Sequence, residues 1–141
     1  MSLVIVGTVA FDAIETPFGK TDKIVGGAAT FAGLSASYLY DNVKLVSVIG
    51  EDFGDNLDII KAKGIHVEGV EIVKGGKSFF WSGKYHNDMN SRDTLITELN
   101  VLADFDPKIP ASYQDCEYLL LGNLTPQVQL QTLERLNEQP K

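Results

Sequence analysis

Three continuous apolar runs, residues 3–9, 43–49 and 117–121, punctuate the chain. They are rich in valine, isoleucine and leucine and carry no polar alternation. Runs of this kind suit strands buried on both faces of a parallel sheet. Between the first two, residues 13–16 and 20–25 are shorter, more polar and separated by Pro17 and Gly19, which predicts a hairpin at the edge of the molecule. Residues 27–40 place Phe31, Leu34 and Tyr38 at helical spacing, with Ala28, Ala32 and Ala36 between them. That pattern predicts a helix packed closely on a sheet. Residues 55–63 predict a shorter helix, with Lys61 and Lys63 in its last turn and Gly64 just beyond. The order strand, hairpin, helix, strand, helix indicates an α/β domain with a parallel sheet.

Residues 67–99 break this rhythm, having no helical period. By alternation Phe79, Trp81 and Tyr85 fall on one side of a strand, and Ser78, Ser82, Lys84 and His86 mostly on the other. An aromatic strand face must cover a core, a ligand or another subunit. This stretch and the early hairpin predict a small second sheet, with strands from about 13–25 and 67–99, inserted in the α/β body. The body resumes at 117–121. Thr125-Pro126 is a helix start, an N-cap hydroxyl before proline at the first helical position, and Leu130, Leu133 and Leu136 follow on one stripe.

The chain has 141 residues, enough for one domain with a sizeable core. Its net charge of -7, with 12 scattered Lys and Arg, argues against nucleic acid or an anionic membrane as partner. No apolar run reaches the roughly 18 residues of a membrane span, and the first segment lacks signal-peptide features. The lone Cys116 excludes an internal disulfide framework and is expected as a buried thiol in a cytoplasmic protein. His66 and His86 have no partners at ligand spacing, so no metal site is expected.

The candidate chemistry centres on the run Gly26-Gly27-Ala28-Ala29-Thr30-Phe31-Ala32-Gly33, which opens a helix. Paired glycines at a helix start let a ligand approach the backbone. A second glycine signal, Ile49-Gly50-Glu51-Asp52-Phe53-Gly54, lies downstream. The first run lacks the lysine and spacing of a P-loop, and Val6-Gly7-Thr8-Val9-Ala10 lacks the glycines of a dinucleotide fingerprint. A small-molecule pocket therefore fits better than a phosphate cradle.

Three elements together, Val6-Gly7-Thr8-Val9-Ala10-Phe11-Asp12, the Gly26-Gly27 helix start and Val48-Ile49-Gly50-Glu51-Asp52-Phe53-Gly54, resemble the N-terminal half of a ribokinase-like (PfkB) carbohydrate kinase. The resemblance covers essentially the whole chain. It implies a Rossmann-like αβα sandwich with a parallel central sheet, incomplete here, plus a small β-sheet lid. It also implies transfer of the γ-phosphoryl group of ATP, with Mg2+, to a hydroxyl of a sugar or nucleoside, and in several members a homodimer clasped through the lids. On this resemblance Asp12 binds substrate hydroxyls, which suits a carboxylate able to accept two charge-assisted hydrogen bonds. Gly26 and Gly27 fall where the family's backbone approaches the substrate. Ala10 and Phe31 stand where the family often has asparagines, so Phe31 is either an apolar wall of the site or core. Thr30 is a candidate to supply a hydroxyl. Asn123 sits beyond the end of a strand, where open α/β sheets place ligand contacts, a turn amide being the plain alternative. Trp81 and Tyr85 of the lid are candidates to stack on a ligand ring, with core or dimer packing the other reading, and Arg92 with Asp93 is a candidate ion pair.

The family's catalytic aspartate belongs to a Gly-Ala-Gly-Asp motif, and no such motif occurs in this sequence. No catalytic residue is therefore assigned, the residues that bind ATP and Mg2+ are mostly missing, and the chain is expected to be a fragment that cannot transfer phosphate alone. The alternative is a non-catalytic small-molecule-binding or dimerisation module built from the same half-fold.

Overall fold

A computed structural model describes residues 2–141. In chain order the strands are β1 (Leu3–Val6), β2 (Ala10–Thr16), β3 (Gly19–Lys20), β4 (Ile24–Gly26), β5 (Val43–Gly50), β6 (His66–Val73), β7 (Phe80–Tyr85), β8 (Arg92–Glu98) and β9 (Tyr118–Leu121). The α-helices are α1 (Ala28–Ala36), α2 (Asn56–Lys61) and α3 (Pro126–Glu134).

The three apolar runs form neighbouring strands of one sheet, in the order β6-β5-β1-β9, with every pairing parallel. Both faces of β1 and β5 are covered, which is why their runs show no polar alternation, whereas β9 lies at the edge with Leu120 exposed. Ile5, Leu45 and Ile49 point to one face, with Ala29 of α1 and Leu57 and Ile60 of α2. Val4, Val6, Val46 and Val48 point to the other, against Phe105, Tyr113 and the Val128 side of α3. The result is the αβα sandwich expected. Among the described residues no helix is long and apolar enough to cross a membrane. On the outer edge of β9, the Lys141 N–H donates to the Glu117 carbonyl at 2.9 Å, and the Leu119 N–H donates to the Lys141 carbonyl at 3.0 Å.

Two helices differ from expectation in the face they bury. In α1 it is Ala29, Thr30 and Gly33 that face the sheet, while Phe31 and Tyr38 are exposed. A β-carbon on Gly33 would come within 3.1 Å of Leu45 Cδ2, so close approach to the sheet, not the aromatic spacing, orients the helix. The helix ends at Ala36 and runs out in turns rather than reaching Tyr40. In α3 Thr125 caps the first turn as expected, its hydroxyl accepting from the Val128 N–H at 3.4 Å. The buried stripe is Val128, Thr132 and Leu136, with Leu130 and Leu133 exposed.

The second sheet runs β3-β2-β7-β8, with β4 on the free side of β2. Only β2 and β7 pair in parallel. The sheet stands on the body as a lid, with two boundary corrections. Its first strand begins at Ala10, not 13, and residues 66–73 belong to the body, as β6. The polar positions of β6 give it the pattern of a lid strand. Glu68 accepts from the Ser112 hydroxyl at 2.7 Å and Glu71 pairs with Lys108 at 3.0 Å, both within the body. Gly69 meanwhile lets the strand close on the Leu45 carbonyl and Tyr113.

The lid is rooted on the second glycine signal. The Ser78 N–H and hydroxyl donate to Asp52 Oδ1 at 2.7 and 2.8 Å, and Lys23 Nζ of the lid donates to Oδ2 at 3.2 Å. Burial pushes the Asp52 carboxyl up, but the bonds from Ser78 and Lys23 outweigh it and hold the group below its ordinary value. Ser78 Oγ accepts in turn from the Gly50 N–H at 3.0 Å.

Candidate functional site

A cleft of 340 Å³ opens where the lid leans over the body. Its floor lies beyond the C-terminal ends of β1 and β9, which contribute Thr8 and Asn123. The chain leaves β1 for β5 on one side and reaches β9 on the other, so this is the point where strand order reverses, the usual ligand crevice of an open α/β sheet. The walls are Gly27, Ala28 and Phe31 of the α1 start and Asp12, Phe79, Trp81, Tyr85 and Arg92 of the lid.

The start of α1 is organised by Thr8. Its carbonyl accepts from the Ala29 N–H at 2.9 Å, and its hydroxyl accepts from the Ala28 N–H at 3.0 Å. The same hydroxyl donates to Asn123 Oδ1 at 3.1 Å. Gly27 takes φ 101°, and a β-carbon there would lie 2.3 Å from the Thr8 carbonyl oxygen. Only glycine allows this junction. The Gly27 N–H donates to the Asp12 carboxylate. The first N–H groups of the helix are therefore occupied by Asp12 and Thr8, and are not free to cradle a phosphate. Among the described residues no cluster of three His, Cys, Asp or Glu is placed to hold a metal. With its first N–H groups taken, this helix start does not fit the phosphates of ATP.

Asp12 lies on β2 directly beside Trp81 of β7, so the carboxylate and the indole project from the same face. Gly26 stands behind the carboxylate, outside the cleft wall, and a β-carbon on it would lie 2.0 Å from Oδ2. Burial pushes the Asp12 carboxyl above its ordinary value, partly offset by the Gly27 N–H. A carboxylate half removed from water and held from one side by a backbone N–H has lone pairs left for ligand hydroxyls.

Trp81 is fixed in place. Its Nε1–H donates to Thr94 Oγ1 at 3.3 Å, and its ring occupies the space over Gly83, where a β-carbon would lie 2.1 Å from it. Phe31, 56% exposed, is a wall of the cleft and not core. Ala10 is fully buried and does not reach the site.

Seven of the eight residues singled out in the sequence thus gather here: Asp12, Gly27, Phe31, Trp81, Tyr85 and Asn123 on the walls, and Gly26 behind Asp12. Thr30 does not. It is buried under α1, and its hydroxyl has no hydrogen-bond partner among the described residues. Being one residue from Phe31 turns it about 100° away around the helix. Nor do Arg92 and Asp93 pair: Asp93 binds His86 at 3.0 Å on the far face of the lid. Phe79, on the aromatic strand face with Trp81 and Tyr85, lines the cleft as well. Thr8 is a site residue that no motif marks, findable only as the polar residue following a parallel strand.

No family model matches the chain. It is 31% identical over 137 residues to a cytidine kinase from Thermococcus kodakarensis, covering 96% of this chain and 48% of that protein. The structure matches a Burkholderia thailandensis nucleoside kinase in complex with inosine at a TM-score of 0.77 and 19% identity, covering 94% of this chain and 48% of the other. A Methanocaldococcus jannaschii nucleoside kinase of the ribokinase family matches at 0.76 and 17%, covering 99% and 50%. A Cryptococcus neoformans ribokinase in complex with ADP matches at 0.72 and 20%, covering 94% and 43%. The chain thus spans about half the length of these relatives. Over that half, its sequence is similar to that of a nucleoside kinase and its fold is that of ribokinase-like (PfkB) proteins.

Proposed function

We propose that this chain is the acceptor-binding portion of an ATP-dependent kinase of nucleosides or sugars, and that its acceptor is a nucleoside. The observation that carries this is the pairing of Asp12 with Trp81 on one lid face, over a cleft at the strand switch point. The carboxylate suits two neighbouring sugar hydroxyls, and Phe31, Trp81 and Tyr85 supply the aromatic surface that a base, rather than a bare sugar, would fill. The relatives named as a cytidine kinase and as a nucleoside kinase with inosine support the same acceptor class. Asp12, Gly26, Gly27, Phe31 and Asn123 form the substrate side, and Trp81 and Tyr85 the covering side. Transfer of the γ-phosphoryl group draws on ATP and Mg2+ held elsewhere in a full-length enzyme. We also propose a cytoplasmic location, where ATP is available to such an enzyme.

The test measures thermal unfolding with and without ligand, alongside ATP-dependent phosphorylation. Nucleosides are expected to raise the melting temperature of the 141-residue chain, ribose to raise it less, and no phosphorylated product to form. No protection by any nucleoside would refute the acceptor assignment, and product formation would refute the division of labour.

A second reading, a dimerisation module, is favoured by one observation. β8 is the open edge of the lid and carries Leu95 and Ile96 exposed. An unpaired apolar edge is a pairing surface, and we propose a homodimer formed lid to lid. Sedimentation of the chain as a monomer at high micromolar concentration would rule it out.

A further inference from the structure

We propose that Arg92 reads the base of the bound nucleoside, selecting bases that present two adjacent hydrogen-bond acceptors. This rests on the nucleoside reading above and names a specificity residue within it.

Arg92 reaches the cleft because of a fault in the lid. Along β7 and β8, Trp81 stands opposite Thr97 and Ser82 opposite Ile96, but the next pair is Gly83 with Thr94. One residue, Leu95, is extra. A bulge of this kind reverses which side chains of a strand face a given side. In unbroken register Asp93 would lie opposite Tyr85, on the aromatic face. With the bulge Arg92 takes that place, and Asp93 turns to the far side to bind His86 at 3.0 Å. The cleft thereby gains a guanidinium in place of a carboxylate.

That guanidinium is uncommitted. It lies 5.8 Å over the Trp81 ring, and among the described residues it forms no ion pair. Its planar fork of donors suits two neighbouring acceptors and is poorly served by one. Asp12 is level with Trp81, and Tyr85 lies four residues further on, about 13 Å at a strand's rise per residue. Arginine reaches back from that far end over the indole. A ligand holding Asp12 by its sugar and lying on Trp81 by its base then presents the base edge to Arg92. Cytosine offers O2 beside N3, and hypoxanthine O6 beside N7, the second being the pattern arginine grips in guanine. Adenine sets an amino donor between its acceptors and satisfies the fork only in part.

Trp81 is the one tryptophan in the chain, so its fluorescence reports the cleft. The experiment titrates the wild-type chain and Arg92→Met with cytidine, inosine, adenosine and ribose. Cytidine and inosine are expected to bind Arg92→Met about ten-fold or more weakly than wild type, while ribose and adenosine change by less than about three-fold. Equal binding of cytidine and inosine by both chains would overturn the proposal with the nucleoside reading intact. A parallel loss for all four ligands would overturn it as well, marking Arg92 as structural. Failure of the nucleoside reading itself shows in the wild type, as no saturable response to any nucleoside, and removes this proposal with it.

Discussion

Gly26 and Asp12 stand so close that a β-carbon on Gly26 would lie 2.0 Å from the Asp12 carboxylate oxygen. The second glycine of the run, Gly27, donates its N–H to the same carboxylate. The diglycine is thus a mould for one aspartate, not a phosphate loop. Gly26→Ala is expected to push the carboxylate aside and weaken nucleoside binding about ten-fold, the worth of a hydrogen bond to a charged group. The obstructing atom is the free end of a side chain, so the melting temperature should move little. Trp81 fluorescence and thermal unfolding measure the two effects separately.

Gly27→Ala should behave differently. Its β-carbon would meet the Thr8 carbonyl oxygen at 2.3 Å, at φ 101°, a backbone conformation costly for alanine. The expected loss of stability is about 1–3 kcal/mol, read from the midpoint of denaturant unfolding. Here binding and stability fall together.

The opposite shifts of Asp12 and Asp52 predict an order of events on acidification. Burial raises the folded pKa of Asp12. The native state then holds that proton more readily than the unfolded state, so this group favours folding as pH falls and disfavours it as pH rises through its window. Ligand hydroxyls need the ionised form, so affinity falls as pH drops through a pKa above the ordinary 3.8. Asp52 is lowered, its burial outweighed by Ser78 and Lys23. Its contribution to stability is present above the unfolded pKa and is lost as pH falls through the lower folded one. Binding should therefore disappear at higher pH than the lid root. Fluorescence titrations across pH check this, and Asp12→Asn should bind weakly with no pH dependence in that range.

Much of this architecture was legible in the amino-acid order. The runs around Ile5 and Leu45 are buried on both faces and show it by being almost wholly apolar, while the run around Leu119 is covered on one face only. Trp81 was recoverable because strand alternation puts it on the aromatic face, and Asp12 through the family resemblance, although it lies inside β2 and not at the end of the first strand. What escaped depends on neighbours distant in sequence. β6 looks like a lid strand until Ser112 and Lys108 arrive to bind its glutamates. Thr30 looks available until Gly33 brings α1 down on Leu45. Arg92 faces the cleft only because the partner strand skips a residue at Leu95, and no local pattern marks a bulge.

Asp52→Ala removes the acceptor for both the N–H and the hydroxyl of Ser78, which is itself buried. A loss of about 1–3 kcal/mol is expected from the donors left unsatisfied. It should be concentrated in the lid. Hydrogen exchange ought to quicken through β7 and β8 and stay slow in β1 and β5.

The central claim is that Asp12 holds the sugar hydroxyls of a nucleoside beneath Trp81. Isothermal titration of the purified chain with cytidine or inosine, beside Asp12→Ala, tests it most directly. The account predicts saturable one-to-one binding by the wild type and a loss of about ten-fold or more in the variant. Equal affinity in the two chains, or no binding by the wild type, would contradict it.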